Sequence, residues 1–531
     1  MKRTLLLFSL LLYYSTLAQN TIGLLYEDPN FQSSEGYTIF NPLSDNRVFL
    51  INKCGEVVKQ WDFSHTQPSV NAYLLENGNL LQTSRFFSEL RDWDNNILWN
   101  IDNQSVLGFR IHHDIEPLPN GNFLALVRDS YTSAEAIAMG KDPSFDVNLV
   151  LEKIVEIQPQ GTDSASVVWE WKFYDHLVQD LDNSKPNFDV ISNRPERLNI
   201  NYNSRNDSNF IHANGIDYNA SLDQIVFSSR HLDELFIIDH STTTAEAATS
   251  SGGLYGKGGD FLWRWGNPQT YNKGTVSDRM IGRQHDPQWV TSGPYAGFIS
   301  VFSNDGYGSD TTASSIHIVD PNETNGVYPL DSDGKFYSST YAWSWNGDVM
   351  NEPMLTPNRG SLHIMQNGNA LINESVPGRL SEVTPNGDVI WVYEIPVGTT
   401  GVYDQFDIPD GNISFKALRY PLDYPPFINN TLSLSGYLEN QNVLADSCIN
   451  SLSNNEILQN TTKIYPNPTT GIVKVESLNI IEKIEVFDVL GKKILTQTQT
   501  NEIDITDLRD GIYILNVHSQ NSFLEKKLIK N

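Results

Sequence analysis

The chain of 531 residues has only two cysteines, Cys54 and Cys448. That excludes the disulfide framework of a stapled mini-domain and a cysteine-rich zinc site, and leaves one bridge at most. Basic residues are scarce too: 36 Lys plus Arg stand against 64 Asp plus Glu, a formal charge of -28. Phosphate binding needs a basic face and an anionic membrane attracts basic clusters, so nucleic acid and a lipid surface are poor partners. After the first residues no apolar run approaches the roughly 20 residues of a membrane span. Apolar and aromatic residues are plentiful, at 39% and 11% of the chain, enough for a large core.

The first residues pair Lys2 and Arg3 with an apolar run from Leu5 to Tyr14 and a small-residue end at Thr16-Leu17-Ala18. This pattern predicts a secretory signal peptide over 1–18. The mature chain is then exported into an oxidising compartment, where a bridge between Cys54 and Cys448 can form.

The last segment differs from the rest. From Lys463 to Asn531 there are 9 basic and 9 acidic residues, so this stretch is neutral within an acidic chain. The runs IVKVES, KIEVFDV, KKILTQT, EIDIT, GIYILNVHS and EKKLIK alternate apolar and polar residues, which predicts a small β-sandwich. Residues Ile464 to Pro468, Val489-Leu490-Gly491, Gly511-Ile512-Tyr513 and Lys526-Lys527-Leu528 resemble the C-terminal sorting domain of the type IX secretion system over 463–531. The resemblance implies that secretion machinery as a partner, passage through the periplasm of a gram-negative bacterium, and a secreted or cell-surface location. Before it, 429–462 is rich in Asn, Ser and Leu without periodicity and reads as a linker.

Over 19–428 one unit recurs: a strand, an Asn-Gly turn, an apolar strand, then a strand ending in Trp. LLENGNLLQTS to NNILWNID, EPLPNGNFLALV to VVWEWKF, and GIDYNASLDQIVFSSR to FLWRWG are three instances. DPQWVTSGPYAGFISVF to YAWSWNG and LHIMQNGNALINES to VIWVYEI continue the series. VFLINKCGEVVKQWDF carries only the outer half of a unit, and ISFKALRYPL near the other end supplies its inner strands. The prediction is an all-β fold: a six-bladed β-propeller closed by joining both ends, followed by the linker and the small sandwich.

Counted from the hairpin turns, His113, His212 and His285 fall at one position, the start of an innermost strand, where Val70 and Gly360 stand in flanking units. Asn214 lies two residues from His212 and so on its face of the strand. Arg230 is as far after the turn as His212 is before it, which sets the two opposite each other. Alternation places His112 on the far face from His113, in a structural role. Three imidazoles suit a zinc ion with one open position. Alternatively, one neutral imidazole attacks an electrophile while the others move protons and Arg230 clamps oxygens. A guanidinium beside a cation is unfavourable, so Arg230 favours the second chemistry and argues against a metal.

The stretches His113 to Asn122, VVWEWKFYDHL, IHANGIDYN with the following SSRH, Gln284-His285 with Trp289, and ISVFSNDGYG resemble the bacterial arylsulfotransferases that use aryl sulfates as donors. The resemblance implies a six-bladed propeller enzyme that transfers a sulfuryl group from an aryl sulfate to a phenolic acceptor, with no nucleotide cofactor and no metal. By motif, His285 would be the nucleophile that becomes a sulfohistidine, and His113, His212, Asn214 and Arg230 would bind and stabilise the transferring group. The chain departs from the family pattern in lacking an N-terminal β-sandwich and a Cys pair before His285, and in having Asp286 where Thr is usual. The alternative function is a non-catalytic secreted propeller that binds sulfated or phenolic ligands, or a protein, at its channel mouth.

Overall fold

The computed structural model describes residues 20–28, 33–65, 70–202, 208–305, 313–440, 463–476, 481–488, 492–498, 500–519 and 522–531. The expected signal peptide, most of the expected linker, and Cys448 lie outside them. Strand predominates over helix, 45% against 8%, as an all-β chain requires. Two compact units divide at 442/443. Among the described residues, no helix is long and apolar enough to cross a membrane.

The first unit contains six antiparallel sheets built on one plan. One joins Asn71–Leu74, Leu80–Thr83, Phe87–Arg91 and Ile97–Asp102, and the next joins Ile111–Pro117, Phe123–Tyr131, Leu149–Gln160 and Ser164–Lys172. The following two run Ala213–Asn219, Gln224–Ser229, Glu234–Asp239, Trp263–Trp265, and His285–Trp289, Ile299–Ser303, Ser315–Val319, Trp343–Trp345. Ser361–Ile364, Ala370–Glu374, Arg379–Val383 and Val389–Glu394 form another. Second strands such as Gln224–Ser229 and Ile299–Ser303 are buried along their whole length, which is why they read as continuous rather than alternating apolar runs. The Asn-Gly turns do what their sequence demands: Gly78 and Gly121 take φ of 85° and 87°, a region that favours glycine.

The remaining sheet joins the two ends of the unit. Ser414–Tyr420 pairs antiparallel with Tyr37–Pro42, followed by Arg47–Ile51 and Val57–Asp62. The later segment thus contributes one inner strand, not both; the second is Tyr37–Pro42, whose GYTIFNP lacks the turn that marks the other units. Gly23–Glu27 pairs outside Val389–Glu394 and covers what would be an open edge. Residues at the start of the stretch read as linker pair back onto this unit, with Ser435 N–H donating to Val57 O and a bridge between Glu56 and Tyr437.

The outer-strand tryptophans tie neighbouring sheets together. Indole N–H groups of Trp61, Trp99, Trp171, Trp263 and Trp345 donate to Asp92 O, Ser164 O, Gly259 O, Tyr337 O and Gly387 O, each in the next sheet or the loops attached to it. Trp391 donates to Lys53 O at 2.7 Å, linking the last sheet to the first. Cys54, beside Lys53, is buried and disulfide-bonded.

The second unit has a three-stranded sheet of Lys463–Tyr465, Ile472–Glu476 and Glu502–Asp504, and a four-stranded one of Lys493–Thr498, Ile481–Asp488, Gly511–Ser519 and Ser522–Lys530. Val473, Val475, Ile484, Val486, Ile503, Leu515 and Val517 close a core between them, and they are the apolar positions of the alternating runs.

Candidate active site

Each histidine of the cluster sits where a regular strand breaks. His113 and His212 have φ of 66° and 52°, and Asp286, next to His285, has 53°. The pairing of all three innermost strands slips beside them, between Ala125 and Val127, Ala213 and Gly215, and His285 and Gln288. These bulges re-aim side chains that simple alternation would send elsewhere. They correct the placement of His112, whose ring lies 4.3 Å from that of His113 and 5.2 Å from that of His212. They also loosen the shared register: His113 and His285 lie five residues before the turn pairs at Leu118 and Val290, and His212 lies seven before Asn219.

The structure nevertheless gathers the three. His113 Nε2 and His212 Nε2 are 3.0 Å apart, and the rings of His113 and His285 stand 6.4 Å apart at 90°. Phe415 stacks on His113 at 6.0 Å. Arg230 lies opposite His212, its N–H donating to His212 O at 3.1 Å, and its Nη1 is 3.5 Å from His231 Nε2. Asn214 is fully buried between two partners: its Nδ2 donates to Gln284 O at 2.8 Å, and its Oδ1 accepts from Ser228 Oγ at 2.5 Å.

Proton positions follow from the partners. Asn304 Nδ2 donates to Thr356 O and Arg359 O, which leaves its Oδ1 to accept from His285 Nδ1 at 2.6 Å. His285 therefore carries its proton on Nδ1, and its Nε2 presents a lone pair. Among the described residues, the Arg359 backbone N–H alone meets that lone pair, at a long 3.3 Å. Burial pushes His285 down to about 4, with Arg230 and Arg359 adding to the effect against the Asn304 bond. Burial, then His112, then His231 and Arg230, push His212 down to about 2. Burial followed by the charges of His112 and His212 holds His113 well below its ordinary value. At neutral pH His113, His212 and His285 are uncharged imidazoles.

Beneath it lies a buried ion network. Lys416 Nζ is 3.0 Å from Asp114 Oδ2, 2.9 Å from Asp286 Oδ1, and donates to Tyr73 OH at 2.8 Å. Asp114 follows His113 and Asp286 follows His285, so one lysine pins the backbone of both. Sequence reasoning missed Lys416, Asn304 and Arg359, and set His112 apart as structural. Asn304 lay within ISVFSNDGYG, but only the fold shows that it faces a histidine.

His112, His113 and His212 offer ring nitrogens within 4.8 Å of one another, a spacing open to a metal ion. Against that use, Arg128 Nη2 lies 3.0 Å from His112 Nε2, which sets a guanidinium charge beside any cation held there. A cavity of about 610 Å³ lined by Tyr131, Lys172, Tyr174 and Arg197, among others, shares no residue with the cluster.

Residues 75–326 match the family described as arylsulfotransferase (ASST). The matched segment is similar to an arylsulfotransferase domain and spans a little under half of the chain. His113, His212, Asn214, Arg230 and His285 all fall within the matched arylsulfotransferase segment, whereas Arg359 and Lys416 lie beyond it. Residues 463–531 match the secretion system C-terminal sorting domain, which implies the type IX machinery and a destination at the cell surface or outside it. No curated protein matches the chain. Solved structures similar to it include a protein of unknown function from Bacteroides caccae, at 13% identity and TM-score 0.37 over 68% of this chain and 94% of that one. A catalytically inactive virginiamycin B lyase from Staphylococcus aureus, crystallised with quinupristin, aligns at 8%, 0.33, 72% and 90% in the same order. A putative 6-phosphogluconolactonase from Bacteroides fragilis gives 10%, 0.34, 74% and 100%. At these scores the likeness carries no argument.

Proposed function

We propose that the chain is an aryl-sulfate sulfotransferase that moves a sulfuryl group to a phenolic acceptor through His285, on a six-bladed β-propeller. The propeller reading rests on the six similar sheets and on the tryptophan bonds that run from sheet to sheet and return to Lys53. The chemical reading rests above all on the bond between His285 Nδ1–H and Asn304 Oδ1, which leaves the Nε2 lone pair directed into a cluster edged by Arg230 and Arg359.

In the first half-reaction the lone pair of His285 Nε2 forms a bond to sulfur as the bond from sulfur to the aryl oxygen breaks. The electron pair leaves with the phenolate. Arg230 and Arg359 face the sulfuryl oxygens, and positioning with electrostatics supplies the catalysis. A phenol has a pKa of about 10, so a proton eases departure. The His113 and His212 pair supplies it: an anionic donor brings the negative charge that lets one of these imidazoles hold a proton. In the second half an acceptor phenol returns a proton to the pair, its oxygen attacks sulfur, and the electrons of the nitrogen–sulfur bond return to Nε2. No step needs a nucleotide or a metal. Asn214 acts in this scheme as a positioning residue, through Gln284 and the turn into His285.

The same reading takes 1–18 as a signal peptide that brings the chain to the periplasm, 19–428 as the propeller with the residues to 442 belonging to the same unit, the rest of the stretch to 462 as a linker, and 463–531 as the sorting tail. Intact mass spectrometry after exposure to donor alone tests the chemistry. The wild type should gain one sulfuryl group and His285→Ala none. Transfer to phenol without any such adduct would refute the covalent route.

A further inference from the structure

Arg230 is one member of a series. It is the sixth residue of IVFSSR, counted from the first residue after the turn; at the same place in the two preceding sheets, LLQTSR ends in Arg85 and FLALVR in Arg128. The following sheets have Asn304 and Ser375 there, so the repeat does not require arginine. Arg128 meets His112, and it is among the charges that depress His113. Arg85 and Arg110 both lie over the Phe86 ring, at 5.7 and 4.6 Å from its centroid. Arg85 O accepts from Ile111 N–H at 3.1 Å and Ile111 pairs with Val127, so the backbone sets Arg85, Arg110 and Arg128 beside one another. Among the described residues no carboxylate pairs with Arg85, Arg110 or Arg128, in a chain with 64 acidic residues against 36 basic ones.

Three exposed guanidiniums without counter-ions repel one another, and an acidic protein has ample means to neutralise them. Each carries a planar fork suited to a carboxylate or sulfonate, and Phe86 adds an aromatic face. We propose that Arg85, Arg110 and Arg128 with Phe86 form a second anion subsite next to His112 and His113, which selects phenolic acceptors bearing a carboxylate. The inference rests on the sulfuryl-transfer reading for its substrate and extends it to the substrate's far end.

The test compares 4-hydroxybenzoate with its uncharged isostere 4-hydroxybenzamide, by calorimetric binding to the full chain and by kcat/KM as sulfuryl acceptors. The carboxylate should be favoured by on the order of tenfold, the worth of charge-assisted bonds at an exposed site. The double variant R85Q/R110Q, whose altered side chains are both exposed, should bring the two ligands within about twofold. Equal binding in the wild type, or a preference that survives in the double variant, overturns the subsite. If no sulfuryl transfer is seen but the carboxylate preference in binding is present and lost in R85Q/R110Q, the subsite stands and the catalytic reading falls.

Discussion

Replacing Lys416 with methionine keeps most of the side-chain volume and removes one charge, so it isolates the ion network under the histidines. The lysine side chain is 6% exposed, and those of Asp114 and Asp286 are 0% and 2%. Water cannot take its place. Burial works against the lysine charge, but Asp114 and Asp286 outweigh it and raise the ammonium well above its ordinary value. Burial already raises Asp114. Without Lys416, two carboxylates face one another, and the chain relieves the strain by protonating one. At pH 7 that costs roughly 4 kcal/mol for a group of ordinary pKa near 4, in line with the about 3–5 kcal/mol lost when one partner of a buried pair is removed. The sign with pH follows. A carboxyl whose pKa is raised in the folded state binds protons more readily there, so the defect is largest at pH 8 and shrinks as pH falls toward 5. Denaturation midpoints of wild type and Lys416→Met, followed by tryptophan fluorescence at both pH values, read this directly. Adding Asp286→Asn to the variant should recover part of the loss. A loss below about 1 kcal/mol at pH 8, or one that does not change with pH, would refute the charged network.

His285→Ala should abolish donor cleavage, whereas Arg230→Ala should slow it by about a hundredfold while still forming the intermediate; a sulfuryl adduct in His285→Ala would move the nucleophile elsewhere. Because His285 is pushed down to about 4, kcat/KM for the donor should hold through pH 6 and fall only as Nε2 takes a proton near that value; an acid limb at the ordinary histidine value would contradict the buried, neutral imidazole. Dialysis against a chelator should leave the rate unchanged, and recovery of a lost rate by zinc would reassign His112, His113 and His212 as ligands. Deleting the residues from Glu525 onward removes most of the edge strand Ser522–Lys530 and should hold the chain inside the cell envelope, as fractionation would show; normal secretion of the truncation would contradict the sorting role.

The amino-acid sequence by itself determined the local pieces of this protein. Alternating runs and Asn-Gly turns specified the strands, because side chains in a strand point to opposite faces and glycine alone takes the turn's left-handed backbone without strain. The repeat brought out His113, His212, His285 and Arg230, since a histidine that Val70 and Gly360 do not match is conspicuous. Tertiary structure decided what repeat counting cannot reach. Bulges with left-handed residues at His113, His212 and Asp286 turned His112 into the cluster and shifted His212 by two residues relative to its neighbours. Alternation holds only while each residue of one strand opposes one of the next, and a bulge breaks that count. Lys416, Asn304 and Arg359 carry no local signal, because each takes its meaning from a partner that is distant in the chain: Lys416 from an aspartate 302 residues away, Asn304 and Arg359 from His285, 19 and 74 residues away. Asp286, an oddity in the sequence, is the residue that a buried lysine requires.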